Sequence, residues 1–140
     1  MIIDEIIEII ENSRTENILG RKLNNLYDEF RSGRDSNDIL KLLTHSNDSL
    51  VWHGCSICCE VIVENSKNRN TLINELYNIL KKSKSSKNRE RAFSALYGFY
   101  MDVKDIGGFN KICNEFSEDD LNEIGSFAKN FLKDSNFKRH

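Results

Sequence analysis

Apolar side chains recur along this chain every three to four positions, the spacing that lines one face of an α-helix. Between residues 2 and 11, Ile3, Ile6, Ile7 and Ile10 follow the i, i+3, i+4, i+7 pattern, with Asp4, Glu5, Glu8 and Glu11 largely opposite. Leu19, Leu23, Leu26, Tyr27 and Phe30 carry the same spacing through 16–32, and Gly33 reads as a helix stop. A short helix over about 36–44 carries Ile39, Leu40, Leu42 and Leu43. The polar turn His45-Ser46-Asn47-Asp48 then leads into a longer helix over about 48–64, whose stripe is Val51, Cys55, Cys58 or Cys59, and Ile62. A helix over about 70–82 (Leu72, Leu76, Ile79, Leu80) and one over about 87–103 (Ala92, Ala95, Leu96, Phe99, Val103) repeat the arrangement.

Gly107-Gly108 is expected to break the chain ahead of a last pair of helices near 109–115 and 118–134. Ser117-Glu118-Asp119-Asp120 has the form of a capping box and precedes Leu121, Ile124, Phe127, Ala128, Phe131 and Leu132. Residues after Asp134 are expected to fray. The pattern therefore predicts an all-α fold of about eight helices in one domain, 1–140. Its parts are an N-terminal pair over 1–33, central repeats over 36–64 and 70–103, and a C-terminal pair over 109–134. An offset of 37 residues lays Ile39 on Leu76, Leu42 on Ile79 and Leu43 on Leu80. The same offset lays Cys55 on Ala92, Cys59 on Leu96 and Ile62 on Phe99. Repeats of this length, each burying its apolar side against the next, are typical of helical solenoids.

Composition agrees with this reading and narrows it. The chain has no proline and seven glycines, which argues against a turn-rich β-sandwich. The weight of Ile, Lys and Asn hints at an AT-rich, bacterial coding genome. A net charge of −2 supplies no global field toward nucleic acid or a membrane. No run approaches the roughly 20 apolar residues of a membrane span, and the acidic start Asp4, Glu5, Glu8 is unlike a signal peptide. Four cysteines at 55, 58, 59 and 113 are poorly spaced for a disulfide framework, so a reducing cytoplasm is expected.

Candidate chemistry is sparse. Cys55, Cys58 and Cys59, with His53 and Cys113, could supply metal ligands, but structural zinc sites draw on separated pairs, and the second pair is missing. Core packing is the better reading of the cysteines, and no metal or other cofactor is expected. A nucleophile at Cys59 or Cys113 with His45 or His53 as base lacks any glycine loop for an oxyanion, and His140 is terminal. Phosphate-loop, dinucleotide, nucleophile-elbow and HExxH motifs are absent from the sequence, so no catalytic apparatus is legible.

Two charged stretches stand out instead. Lys81, Lys82, Lys84, Lys87, Arg89 and Arg91 contain one acid, Glu90, and read as a solvated turn rather than a phosphate-contacting edge, with contact to an acidic partner a further alternative. Glu115, Glu118, Asp119, Asp120 and Glu123, near Asp102 and Asp105, suit a helix start only in part. An acidic surface of this kind could meet a basic protein patch. Trp52 and Tyr100 are candidate interface anchors, while Tyr97, next to Leu96, reads as structural. The partner-binding candidates are thus Glu115, Glu118, Asp119, Asp120, Glu123, Trp52 and Tyr100.

At ILKLLTHSNDSLVWHGCSICCEVI, Ile39 to Ile62, the chain resembles a HEAT-like helical repeat: a short helix ending in two leucines, a polar turn, and a longer helix with small residues on its packing face. The segment 76–100 is similar to a second copy, although the proline frequent in the first helix of such repeats is missing. The resemblance implies a right-handed stack of antiparallel helix pairs, a HEAT-like α-solenoid. Taken whole, the chain looks like bacterial immunity proteins of the polymorphic-toxin or contact-dependent growth-inhibition type. That resemblance implies a non-enzymatic toxin inhibitor, a monomer when free, which occludes the active site of a cognate toxin with a basic surface. It implies neither a nucleic-acid nor a membrane partner. A scaffold or adaptor is the alternative, and a nucleic-acid-binding helical repeat a more distant one.

Overall fold

A computed structural model describes residues 1–61 and 63–138, with side chains through Ser135; Ile62 and His140 lie outside the described residues. Among these the chain is all-helical, with eight helices and no strand. They are α1 (Ile2–Glu11), α2 (Glu16–Arg31), α3 (Asn37–Leu43), α4 (Asp48–Glu60), α5 (Ser66–Lys82), α6 (Ser86–Asp102), α7 (Ile106–Phe116) and α8 (Asn122–Lys138). Successive helices pack as α3 on α4, α5 on α6 and α7 on α8. Across these pairs α3 lies against α5, α4 against α6 and α6 against α8, while α1 touches α2, α3 and α4. No described helix is long and apolar enough to cross a membrane.

Polar side chains start most of these helices by accepting backbone N–H groups that lack an intrahelical partner. Thr15 accepts from Ile18 at the start of α2, Asn47 from Ser49 and Leu50 at α4, Asn65 from Asn68 at α5, and Ser85 from Asn88 at α6. The end of α2 follows from Gly33, whose φ of +116° lets its N–H reach Phe30 O (3.2 Å) and the next N–H, of Arg34, reach Glu29 O (3.0 Å). Lys104 serves the same purpose after α6 with φ 58°, its N–H on Met101 O and that of Asp105 on Tyr100 O.

Several boundaries and faces differ from the sequence expectation. Helix α5 begins four residues earlier than 70 because Asn65 caps it. Helix α4 stops at Glu60, not 64. In α1 the buried side is Ile2 and Ile6, with Ile3 and Ile9 packed beside them, while Ile7 and Ile10 are each 39% exposed. Six isoleucines make this helix apolar nearly all round, so its docking on α3 and α4 chose the face. Val103, expected inside, is exposed at the end of α6.

Gly107-Gly108 does not break the chain; it forms the first turn of α7, with Gly108 N–H on the Asp105 carboxylate at 2.9 Å. A Cβ on Gly108 would stand 2.7 Å from Cε1 of Tyr100, so the glycine permits α7 to meet α6. The Ser117 capping box is not used. Helix α8 starts at Asn122, Ser117 Oγ donates back to Asn114 O (3.4 Å), and it is Asp119 that accepts the Leu121 N–H at 2.9 Å. Helix α8 also continues past Asp134, to Lys138.

Two arginines bolt the layers together. Arg34 donates to Glu5 of α1 and to Asp38 of α3 (3.0 Å), approaches Glu29 of α2 at 3.7 Å, and lies over the Phe30 ring. Arg89 of α6 donates from Nε to Leu80 O at the end of α5 (2.7 Å) and grips both Asp119 oxygens with its other nitrogens.

Candidate functional site

The cysteines sit in the core. Cys55, Cys58 and Cys113 are buried and Cys59 is half-buried, its thiol directed at Arg91 O (3.6 Å), and all four are free thiols. Burial pushes the Cys55 and Cys113 thiols up to about 12 and raises that of Cys58 well above the usual thiol range, which opposes thiolate formation. His53 is buried as well; desolvation lowers its pKa and Nδ1 has no hydrogen-bond partner. Among the described residues no group of three or more His, Cys, Asp or Glu side chains is gathered as metal ligands are.

The acidic stretch does not form one surface. Glu115 accepts the Tyr77 hydroxyl and stands 3.9 Å from Lys81 Nζ, on the α5–α7 side. Glu118 is exposed and 3.7 Å from Lys129, and Asp120 is exposed. Asp119 points inward: its side chain is only 10% exposed, and the hydrogen bond from Arg89 holds its carboxyl below the usual range. Only Glu123, in the first turn of α8, lines a groove.

Trp52 lines that same groove from α4, whereas Tyr100 does not. Tyr100 packs near Phe109 (ring centroids 6.0 Å apart) and borders a different depression with Val103 and Asp105. The groove holds about 510 Å³ and runs across α4, α6 and α8. Helix α6 supplies most of it, with the charged Lys87, Glu90 and Arg91 and the aromatic Phe93 and Tyr97. Helix α8 adds Phe127, an apolar side chain left 40% exposed.

The floor of the groove is the outer edge of an aromatic cluster. Phe109 is fully buried, with Phe131 at 4.8 Å, Tyr97 at 5.4 Å and Phe93 at 5.5 Å between centroids. Phe127 meets it edge-to-face from outside, 5.3 Å from Tyr97 and 5.7 Å from Phe93. Rings locked in this way hold a fixed surface and lose little entropy when covered. On the α4 side the Arg91 guanidinium lies over the Trp52 ring at 5.5 Å, with Nε donating to Ser56 Oγ at 3.0 Å.

No family model, curated protein or solved structure matches the chain.

The groove therefore unites two of the seven sequence candidates, Trp52 and Glu123, and leaves the other five elsewhere. Its remaining residues read otherwise in the sequence. Phe127 falls on the apolar stripe of its helix and reads as core, and Glu90 reads as a lone acid in a basic run. Aromatics at 93, 97 and 127, 131 recur at i, i+4 on two helices, which is the one sequence signal of a shared aromatic wall. The basic run is itself divided, since Arg89 and Arg91 have internal partners and Lys81 leans over Tyr77 toward Glu115.

Proposed function

We propose that this chain is a protein-binding immunity protein that neutralises a cognate bacterial toxin in the cytoplasm by covering its active site. Its helices are read as a HEAT-like, right-handed stack of antiparallel pairs, in which α4, α6 and α8 form one wall. The packing of α4 on α6 and α6 on α8 supports that reading. The observation that carries the function is the aromatic groove on this wall, with Trp52, Tyr97 and the half-exposed Phe127 rimmed by charge. Preformed aromatic surface with a polar rim is the anatomy of a protein interface. A binding role is favoured over catalysis because the Cys55 and Cys113 thiols are raised and buried, and none of the four cysteines lines the groove.

Co-expression tests the proposal. The reading frame immediately upstream of this one is expected to arrest growth when expressed alone, and this chain to relieve the arrest in proportion to its level. Arrest that the chain never relieves contradicts the proposal. Several unrelated partners and no toxin beside the gene would instead favour an adaptor.

A further inference from the structure

The charges around the groove are unequally matched. Arg91 is held by Ser56 and stands 3.9 Å from the Glu60 carboxylate. Lys87 also lines the groove, where it meets a neighbouring depression bordered by Asp48, and forms no ion pair among the described residues. Glu90 and Glu123 remain, from α6 and α8, and neither forms an ion pair among the described residues. The rings of Tyr97 and Phe127 line the same groove, about two turns on from Glu90 in α6 and about one turn on from Glu123 in α8. The molecule already shows what such a wall accepts, since Arg91 rests its own guanidinium on Trp52.

We infer that the groove receives an arginine-bearing segment of the partner protein, with a guanidinium laid on the aromatic wall and held by the Glu90 and Glu123 carboxylates. The inference rests on the protein-binding reading above and specifies the chemistry of the partner. Arginine fits better than lysine because its flat, weakly hydrated head stacks on a ring and offers paired N–H groups to a carboxylate at the same time. An acidic segment would meet two unpaired carboxylates against the single unpaired cation Lys87.

Trp52 is the one tryptophan of the chain and lies in the groove, so its emission reports occupancy directly. The probe is a short capped peptide of alternating leucine and arginine, titrated into the full chain beside versions carrying lysine or glutamate. Saturable change with the arginine peptide is expected, with weaker binding of the lysine form and none of the glutamate form. Glu90→Gln with Glu123→Gln should weaken the arginine peptide about tenfold and flatten its salt dependence. The inference is overturned by no binding of the arginine peptide, by equal binding of the glutamate peptide, or by arginine binding indifferent to the double variant. If the double variant no longer takes the peptide but still relieves toxin arrest in full, the inference falls and the proposed function stands. If the chain takes the peptide as described but relieves no arrest, the reverse holds.

Discussion

Single side chains in this molecule show how burial, not residue type alone, decides chemistry. His53 is close to an ordinary helix residue in sequence, yet its imidazole lies in the core beside Trp52 with Nδ1 unpartnered, and desolvation holds its pKa down. The folded state therefore binds fewer protons here than the unfolded chain, whose histidine titrates near 6.5. Stability should be intact above that pH and fall as pH drops below it, with a slope from this residue of at most about 1.4 kcal/mol per pH unit. Thermal melts between about pH 7.5 and 5 check this against His53→Gln, which should lose that part of the slope. An unchanged slope would mean that His53 is not the group responsible. Asp119 teaches the converse. In sequence it is one of several acids near a helix start, and only the fold reveals that Arg89, thirty residues earlier, claims it. No local pattern encodes a partner at that distance, which is why an acid held in a part-buried ion pair reads as surface in the sequence.

At the scale of elements, what was legible was helix existence, and what was not was which face turns inward. Regular apolar spacing announces every helix, because each must bury a stripe. Where the stripe is wide, as with the isoleucines of α1, the docking partner settles the rotation. Boundaries shifted wherever a cap lay outside the apolar run, as with Asn65 ahead of α5 and Asp119 ahead of α8. Glycines show the same dependence on neighbours. A Cβ on Gly54 of α4 would stand 2.9 Å from Leu42 Cβ on α3, whereas one on Gly98 of α6 would meet nothing within 4 Å. Gly98→Ala should thus stabilise by about 0.5–1 kcal/mol through helix propensity. Gly54→Ala should destabilise by about 1–2 kcal/mol, overpacking outweighing the same gain. Urea unfolding of both variants gives the comparison, and equal signs would contradict the close α3–α4 approach.

On the scale of the whole molecule, the all-helical class and the eight helices could be read from periodicity. The groove could not. It is assembled from three helices, and its residues are separated by as many as 75 positions between Trp52 and Phe127. Candidate residues chosen by type and local charge were therefore scattered, with Trp52 and Glu123 meeting in the groove and Tyr100 and Glu115 facing elsewhere. The overall charge of −2 hides this local arrangement. The most direct test of the account is calorimetric titration of the purified partner into two variants of this chain. Trp52→Ala with Phe127→Ala removes the aromatic wall, and Glu118→Ala with Asp120→Ala removes exposed acids outside the groove. The account predicts that the first loses about 2 kcal/mol or more of binding free energy, as for interface anchors, and that the second binds as the unaltered chain does. Full affinity in the aromatic variant, with loss in the acidic one, would contradict it.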